Sequence, residues 1–165
     1  MDLIKALKKE FETETATTRK FLKLVPEEKY DWKPHDKSMS LKQLSAHIAE
    51  IPGWADLAIN KESLDFGKNE YAPPSFENAD QLMDVFEKAV ENGRKALSNV
   101  KEDQFEQGWQ FKHHDHVLWD GNKYEMIRFG LAQQIHHRAQ LGVYLRLLDI
   151  PIPGSYGPSA DEESF

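Results

Sequence analysis

Cysteine is absent from the 165 residues. That excludes disulfides, thiolate metal ligands and a cysteine nucleophile within the chain, so any thiol chemistry has to use a thiol brought in from outside. Long apolar runs are missing too. No stretch approaches the roughly 18 uninterrupted apolar residues that mark a membrane helix. The opening Met1-Asp2-Leu3-Ile4-Lys5 starts directly into an amphipathic pattern without the apolar region of a secretion signal. The expectation is a cytoplasmic protein with no membrane partner. Basic clusters are lacking and the net charge is −7, which argues against a nucleic-acid-binding surface. There is no glycine-rich phosphate loop, no G-x-S-x-G elbow and no H-E-x-x-H pattern.

What is present is helical periodicity. A first helix spans about residues 2–24, with Leu3, Leu7, Phe11, Thr18, Leu22 and Val25 inward, and Pro26 ends it. The link from Pro26 to Met39 carries Tyr30, Trp32 and Pro34 and reads as an ordered turn packed by its aromatics. A second helix starts at Ser40, where Ser40 and Gln43 form a capping-box pattern. Its inward stripe is Leu44, His47, Ile51, Trp54 and Ala58, and Pro52-Gly53 predicts a bend one turn past His47. Residues 60–75 read as a polar loop. A third helix covers about 78–99, with Leu82, Met83, Phe86, Val90, Gly93 and Leu97 inward. Residues 101–122 are rich in aromatics and histidines, and part of this stretch fits a short hairpin. A fourth helix runs from about Lys123 to Leu148, with Met126, Gly130, Gln133, His137, Leu141, Tyr144 and Leu148 as its stripe. The expectation is a single domain over residues 1–165, all-α, a four-helix bundle with long loops. Such loops are longer than antiparallel neighbours need, so at least one can cross the length of the bundle.

Two polar residues, Gln133 and His137, interrupt the stripe of the last helix one turn apart, and His47 interrupts that of the second. Inward side chains on facing bundle helices can build a metal site. Three protein ligands leave open positions for water or substrate. Imidazole suits zinc, nickel, copper and iron, whereas an amide oxygen is a poorer donor to such ions. Spacing alone leaves a second reading open, that of hydrogen-bonded core residues. Glu50, three residues after His47, is a candidate to orient an imidazole or act as a base, or else a solvated helix-face carboxylate. Arg138 is a candidate anion-binding group at a pocket rim, or a helix-surface partner in salt bridges. The His113-His114-Asp115-His116 tract lies in a loop where nothing sets its geometry, and a surface or mouth-lining role suits it.

The segments Leu44-Ser-Ala-His47-Ile-Ala-Glu50 and Gln134-Ile-His-His137-Arg-Ala-Gln140-Leu-Gly-Val-Tyr-Leu-Arg146 resemble the DinB-like family of DNA-damage-inducible proteins. So do Pro26–Pro34 and Pro151–Ala160, and the resemblance covers nearly the whole chain. It implies a four-helix bundle of up-down-down-up order, which accounts for a crossover at 60–78. It also implies a metal held by a histidine of the second helix and an H-x-x-x-H pair on the last. Here His47 and His137 match, and Gln133 departs from the pattern at the middle position. Relatives of known activity are metal-dependent transferases or isomerases that use a low-molecular-weight thiol. The resulting expectation is a stress-response enzyme, a thiol-dependent transferase or hydrolase. It would act on a small molecule with zinc or nickel on His47, Gln133 and His137 at one end of the bundle, Glu50 or Arg138 in support, and a homodimeric state. The alternative is a non-catalytic bundle that binds a small ligand or a partner through a degenerate metal site.

Overall fold

Helix α1 (Leu3–Leu22) is capped by Asp2, whose carboxylate accepts from the Lys5 amide at 2.9 Å. The computed structural model describes residues 2–163. Helix α2 (Leu41–Glu50) starts on the expected capping box. The Gln43 amide donates to Ser40 Oγ at 3.2 Å, and the Ser40 amide donates to Gln43 Oε1 at 2.9 Å. Pro52 then does more than bend the helix. Residues 51–53 tighten into a 3₁₀ turn and the chain restarts as α3 (Trp54–Asn60), because proline cannot donate the backbone bond that an α-helix requires there. Gly93 of helix α4 (Ala79–Asn99) lies against this turn. A Cβ at position 93 would stand 2.3 Å from the Pro52 carbonyl oxygen and 2.8 Å from the Phe11 ring. Only a residue with no side chain lets the two backbones meet so closely.

The all-α expectation needs correcting. The chain is mostly helical, but a three-stranded sheet is present. Strand β1 (Ser63–Asp65), inside the expected polar loop, pairs in parallel with β2 (Gly108–His113). Strand β2 pairs antiparallel with β3 (His116–Asn122), through a register shift at Phe111/Lys112. The hairpin fits the alternation Trp109-Gln110-Phe111-Lys112, which sends the aromatics to one face. Trp109 is fully buried.

Helix α5 (Lys123–Leu147) follows from a second capping box, Asn122 with Glu125. The Lys123 ammonium, buried, donates to the Ile59 carbonyl at 2.7 Å and so satisfies an end of α3. The expected stripe of α5 is rotated. The residues that enter the core are Met126, Ile127, Leu131, Gln134, Arg138, Leu141 and Leu145. Gln133 and His137 sit beside that face, half-buried. The core between the helices is closed by Leu7, Phe11, Leu22, Leu44, Ile48, Phe86, Val90 and Leu97.

Candidate functional site

The edge of α5 that escapes the core carries Phe129, Gln133 and His137 at four-residue spacing, one per turn. It faces the edge of α2 and α3 that carries His47, Glu50 and Trp54. The His47 and His137 rings lie 4.6 Å apart, nearly perpendicular at 80°. Trp54 stacks parallel to Phe129 at 6.1 Å and meets His47 edge-on at 5.6 Å. The broken second helix thus presents its histidine and its tryptophan to one place.

Each imidazole is tied at Nδ1. That of His47 lies 2.8 Å from Glu50 Oε1, and that of His137 lies 3.0 Å from Gln140 Oε1. Glu50 Oε1 also accepts from the Tyr71 hydroxyl at 2.6 Å. Burial and the Glu50 charge push the Tyr71 phenol well above its ordinary range, so it stays a donor. Glu50 Oε1 thus stands between the Tyr71 hydroxyl and the His47 ring, in place to orient the imidazole. The other nitrogen of His137, Nε2, lies 2.9 Å from Gln133 Oε1. Burial lowers the pKa of His137, against a smaller raising effect of the Gln140 bond, with the nearby His47 and His136 lowering it further. A neutral imidazole has one N–H. Two amide oxygens therefore face a ring that can donate to only one of them.

His47, Glu50, Trp54, Phe129 and Gln133 line a cavity of about 540 Å³, whose other walls include Phe66, Phe111, Trp119 and Tyr71, with His137 set behind Gln133. Phe111, Trp119 and Phe129 cluster with centroids 5.9–6.2 Å apart, and Phe66 stacks on Phe111 at 5.7 Å. A second cavity of about 690 Å³ adjoins it, sharing His47 and Tyr71 and including Lys33, Ser40, Lys42 and Gln43. Such sizes suit small organic molecules.

The other candidates fall elsewhere. Arg138 is remote from this site: it is 2% exposed, points to α1 and borders a separate cavity against the C-terminal segment. Its guanidinium pairs with buried Glu14 at 2.7 Å and donates to the Glu14 carbonyl, Thr18 Oγ1 and Ser155 Oγ. The 113–116 tract forms the tip of the β2–β3 hairpin. There His114 takes a left-handed backbone (φ 54°) and its amide donates to Asp65 Oδ1 at 2.8 Å. Among the described residues, no three histidines or carboxylates converge as a metal-binding group. A metal at this site therefore depends on the Gln133 amide. The sequence reading missed Tyr71, Gln140 and the sheet aromatics as site residues. A lone tyrosine beside Pro73-Pro74 in a polar segment was the available signal for the first.

A sequence model of the DinB family matches residues 3–164. The chain belongs to the DinB family. The fold agrees. A DinB-like protein of Bacillus subtilis superimposes with a TM-score of 0.72 at 18% identity, covering 91% of this chain and 97% of that one. A DinB-like protein of Bacillus cereus gives 0.71 at 18%, covering 91% and 95%. A protein of Exiguobacterium sibiricum described in terms of the same family gives 0.68 at 22%, covering 93% and 97%. No protein with a curated description matches. Among the described residues, no helix of this DinB chain is long and apolar enough to cross a membrane.

Proposed function

We propose that this DinB-family chain is a metal-dependent enzyme acting on a small molecule with an apolar body, a transferase or hydrolase that uses a low-molecular-weight thiol. The observation that carries this reading is the state of His137. Gln140 Oε1 lies 3.0 Å from its Nδ1 and Gln133 Oε1 lies 2.9 Å from its Nε2, and a neutral ring can donate to only one of them. With the ring proton on Nδ1, a divalent cation shared by Nε2 and Gln133 Oε1 satisfies both atoms. Both imidazoles have an oxygen acceptor at Nδ1, the outer arrangement typical of metal-ligating histidines. The donor set fits zinc or nickel on His47, Gln133 and His137. A bound divalent ion would supply Lewis acidity.

The chain's own residues do the rest. Glu50 holds the His47 ring, and Gln140 holds that of His137. Trp54, Phe129 and Trp119 exclude water and take the apolar part of the substrate. The second cavity, with Lys33 and Lys42, offers cations to the anionic groups of the thiol. The up-down-down-up helix order, a homodimeric state and a stress-response role belong to the same reading and rest on the family alone; cytoplasmic residence is proposed with them.

Metal content by emission spectrometry tests it, together with thermal shifts in zinc, nickel and chelator. Wild type should melt higher with metal, Gln133→His should bind more tightly, and His137→Ala should lose the ion. Unchanged metal content in both variants would refute the reading. One feature favours a second reading. If the Gln133 amide is turned, its NH₂ donates to His137 Nε2 and the lone pair is satisfied without an ion. The pocket would then belong to a non-catalytic small-ligand or partner-binding bundle, and the melting temperature would not respond to metal.

A further inference from the structure

The segment between β1 and α4 contributes Glu70 and Tyr71 to the aromatic cavity, and Tyr71 and Ser75 to its neighbour. Of these, Tyr71 lines both cavities, and so does His47. Tyr71 therefore stands where the aromatic chamber and the lysine-bearing chamber meet. Its ring packs edge-on against Phe66 at 6.0 Å, and Phe66 stacks on Phe111 of β2. Its hydroxyl donates to Glu50 Oε1 at 2.6 Å, the same oxygen that lies 2.8 Å from His47 Nδ1. Glu50 itself is on the last turn of α2, with its side chain 14% exposed. A carboxylate on that short tether still has rotamers that leave His47. The phenol is the second fixed point that keeps Oε1 on the imidazole.

We propose that Tyr71 is a positioning residue for His47. By donating to Glu50 it holds the carboxylate that keeps the imidazole proton on Nδ1, and so leaves Nε2 as the free nitrogen facing the site. The inference rests on the reading that His47 is a working residue of this pocket, and it does not require that a metal be the partner of Nε2. It also makes the segment around residues 66–76 more than a wall. The set of the histidine then depends on where that segment lies.

Tyr71→Phe is the informative variant, because it keeps the ring between the chambers and removes only the hydroxyl. In metal-free protein, long-range proton–nitrogen NMR of the imidazoles reads the tautomer directly. Wild type should show His47 protonated at Nδ1. Tyr71→Phe and Glu50→Ala should each shift His47 toward a mixture of tautomers, with His137 unmoved. With zinc alone as the probe, outer-shell losses of this kind weaken binding by about 10-fold or more. Tyr71→Phe should reach the low end of that range. In a Glu50→Ala background it should add nothing, because the effect runs through that carboxylate. Melting temperatures taken alongside confirm that the variants fold.

A His47 spectrum identical in wild type and Tyr71→Phe overturns the proposal, as does a zinc effect that simply adds to that of Glu50→Ala. If wild type takes no zinc while the tautomer still responds to Tyr71→Phe, the metal reading falls and the positioning role stands.

Discussion

Replacing Arg138 by methionine separates a structural arginine from a functional one. Arg138 and Glu14 are 2% and 4% exposed, and their ion pair spans 2.7 Å between α5 and α1. Around it the Tyr156 hydroxyl donates to Glu14 Oε1 at 2.5 Å, the Arg138 guanidinium lies over the Tyr156 ring, and Gln134 donates to Thr18 Oγ1. Methionine fills much of the volume but leaves the Glu14 carboxylate buried without its counter-charge. Removing one partner of a buried pair costs about 3–5 kcal/mol. A chain of this length loses about 2–4 °C per kcal/mol, so the melting temperature should fall by roughly 6–20 °C. Removing the charge from both sides, in Glu14→Leu with Arg138→Met, should recover most of that loss, because well-packed apolar replacements of buried pairs are often neutral. Urea unfolding followed by tryptophan fluorescence gives the free energies, and zinc affinity measured on the folded variants should stay at the wild-type value. A loss below about 1 kcal/mol in Arg138→Met, or a double variant no better than the single, would refute the assignment.

Two further outcomes follow from the geometry. Gly93→Ala should destabilise by about 1–3 kcal/mol despite alanine's better helix propensity, because the new methyl meets the Pro52 carbonyl rather than a movable side chain. Gly108→Ala, with open space at its Cβ, is the control that should be near neutral in the same unfolding assay. In chelator, His137 should make stability depend on pH. Its folded pKa is lowered by burial, so the unfolded chain binds the proton more readily. Its contribution is then complete above the unfolded value of about 6.5 and is lost as pH falls from there toward the folded value. Unfolding free energies at several pH values should show a shallower slope in this window for His137→Gln than for wild type.

Much of this was legible before any coordinates. The Ser40–Gln43 capping box, the Pro26 stop and the Pro52 break all act locally, so residue identity sufficed to locate them. Spacing and family resemblance singled out His47, Gln133 and His137, and the His47 and His137 rings do lie 4.6 Å apart. The phase of α5 was not. Apolar residues lie on two of its faces, and both pairs Gln133/His137 and Gln134/Arg138 have one-turn spacing, so periodicity alone could not say which pair enters the core. The pair that does enter is satisfied by Glu14 and Thr18 of α1, more than 110 residues away in the chain. Strand β1 was invisible for a related reason. Three residues, Ser63-Leu64-Asp65, carry no pattern of their own and become a strand only beside β2. Tyr71 was hidden because its significance lies wholly in what Glu50 already holds.

The cavity is built of two materials. Its polar side chains His47, Glu50 and Gln133 stand on α2 and α5, whose other faces are locked into the helical core. Two of its aromatics, Phe111 and Trp119, come from the hairpin, and so does the exposed Leu118 at its edge. Substitutions at Phe111, Leu118 or Trp119 can therefore reshape the chamber, whereas Trp109 of β2 belongs to the core itself. In this architecture the shape of the chamber and the placement of the two histidines are free to diverge separately.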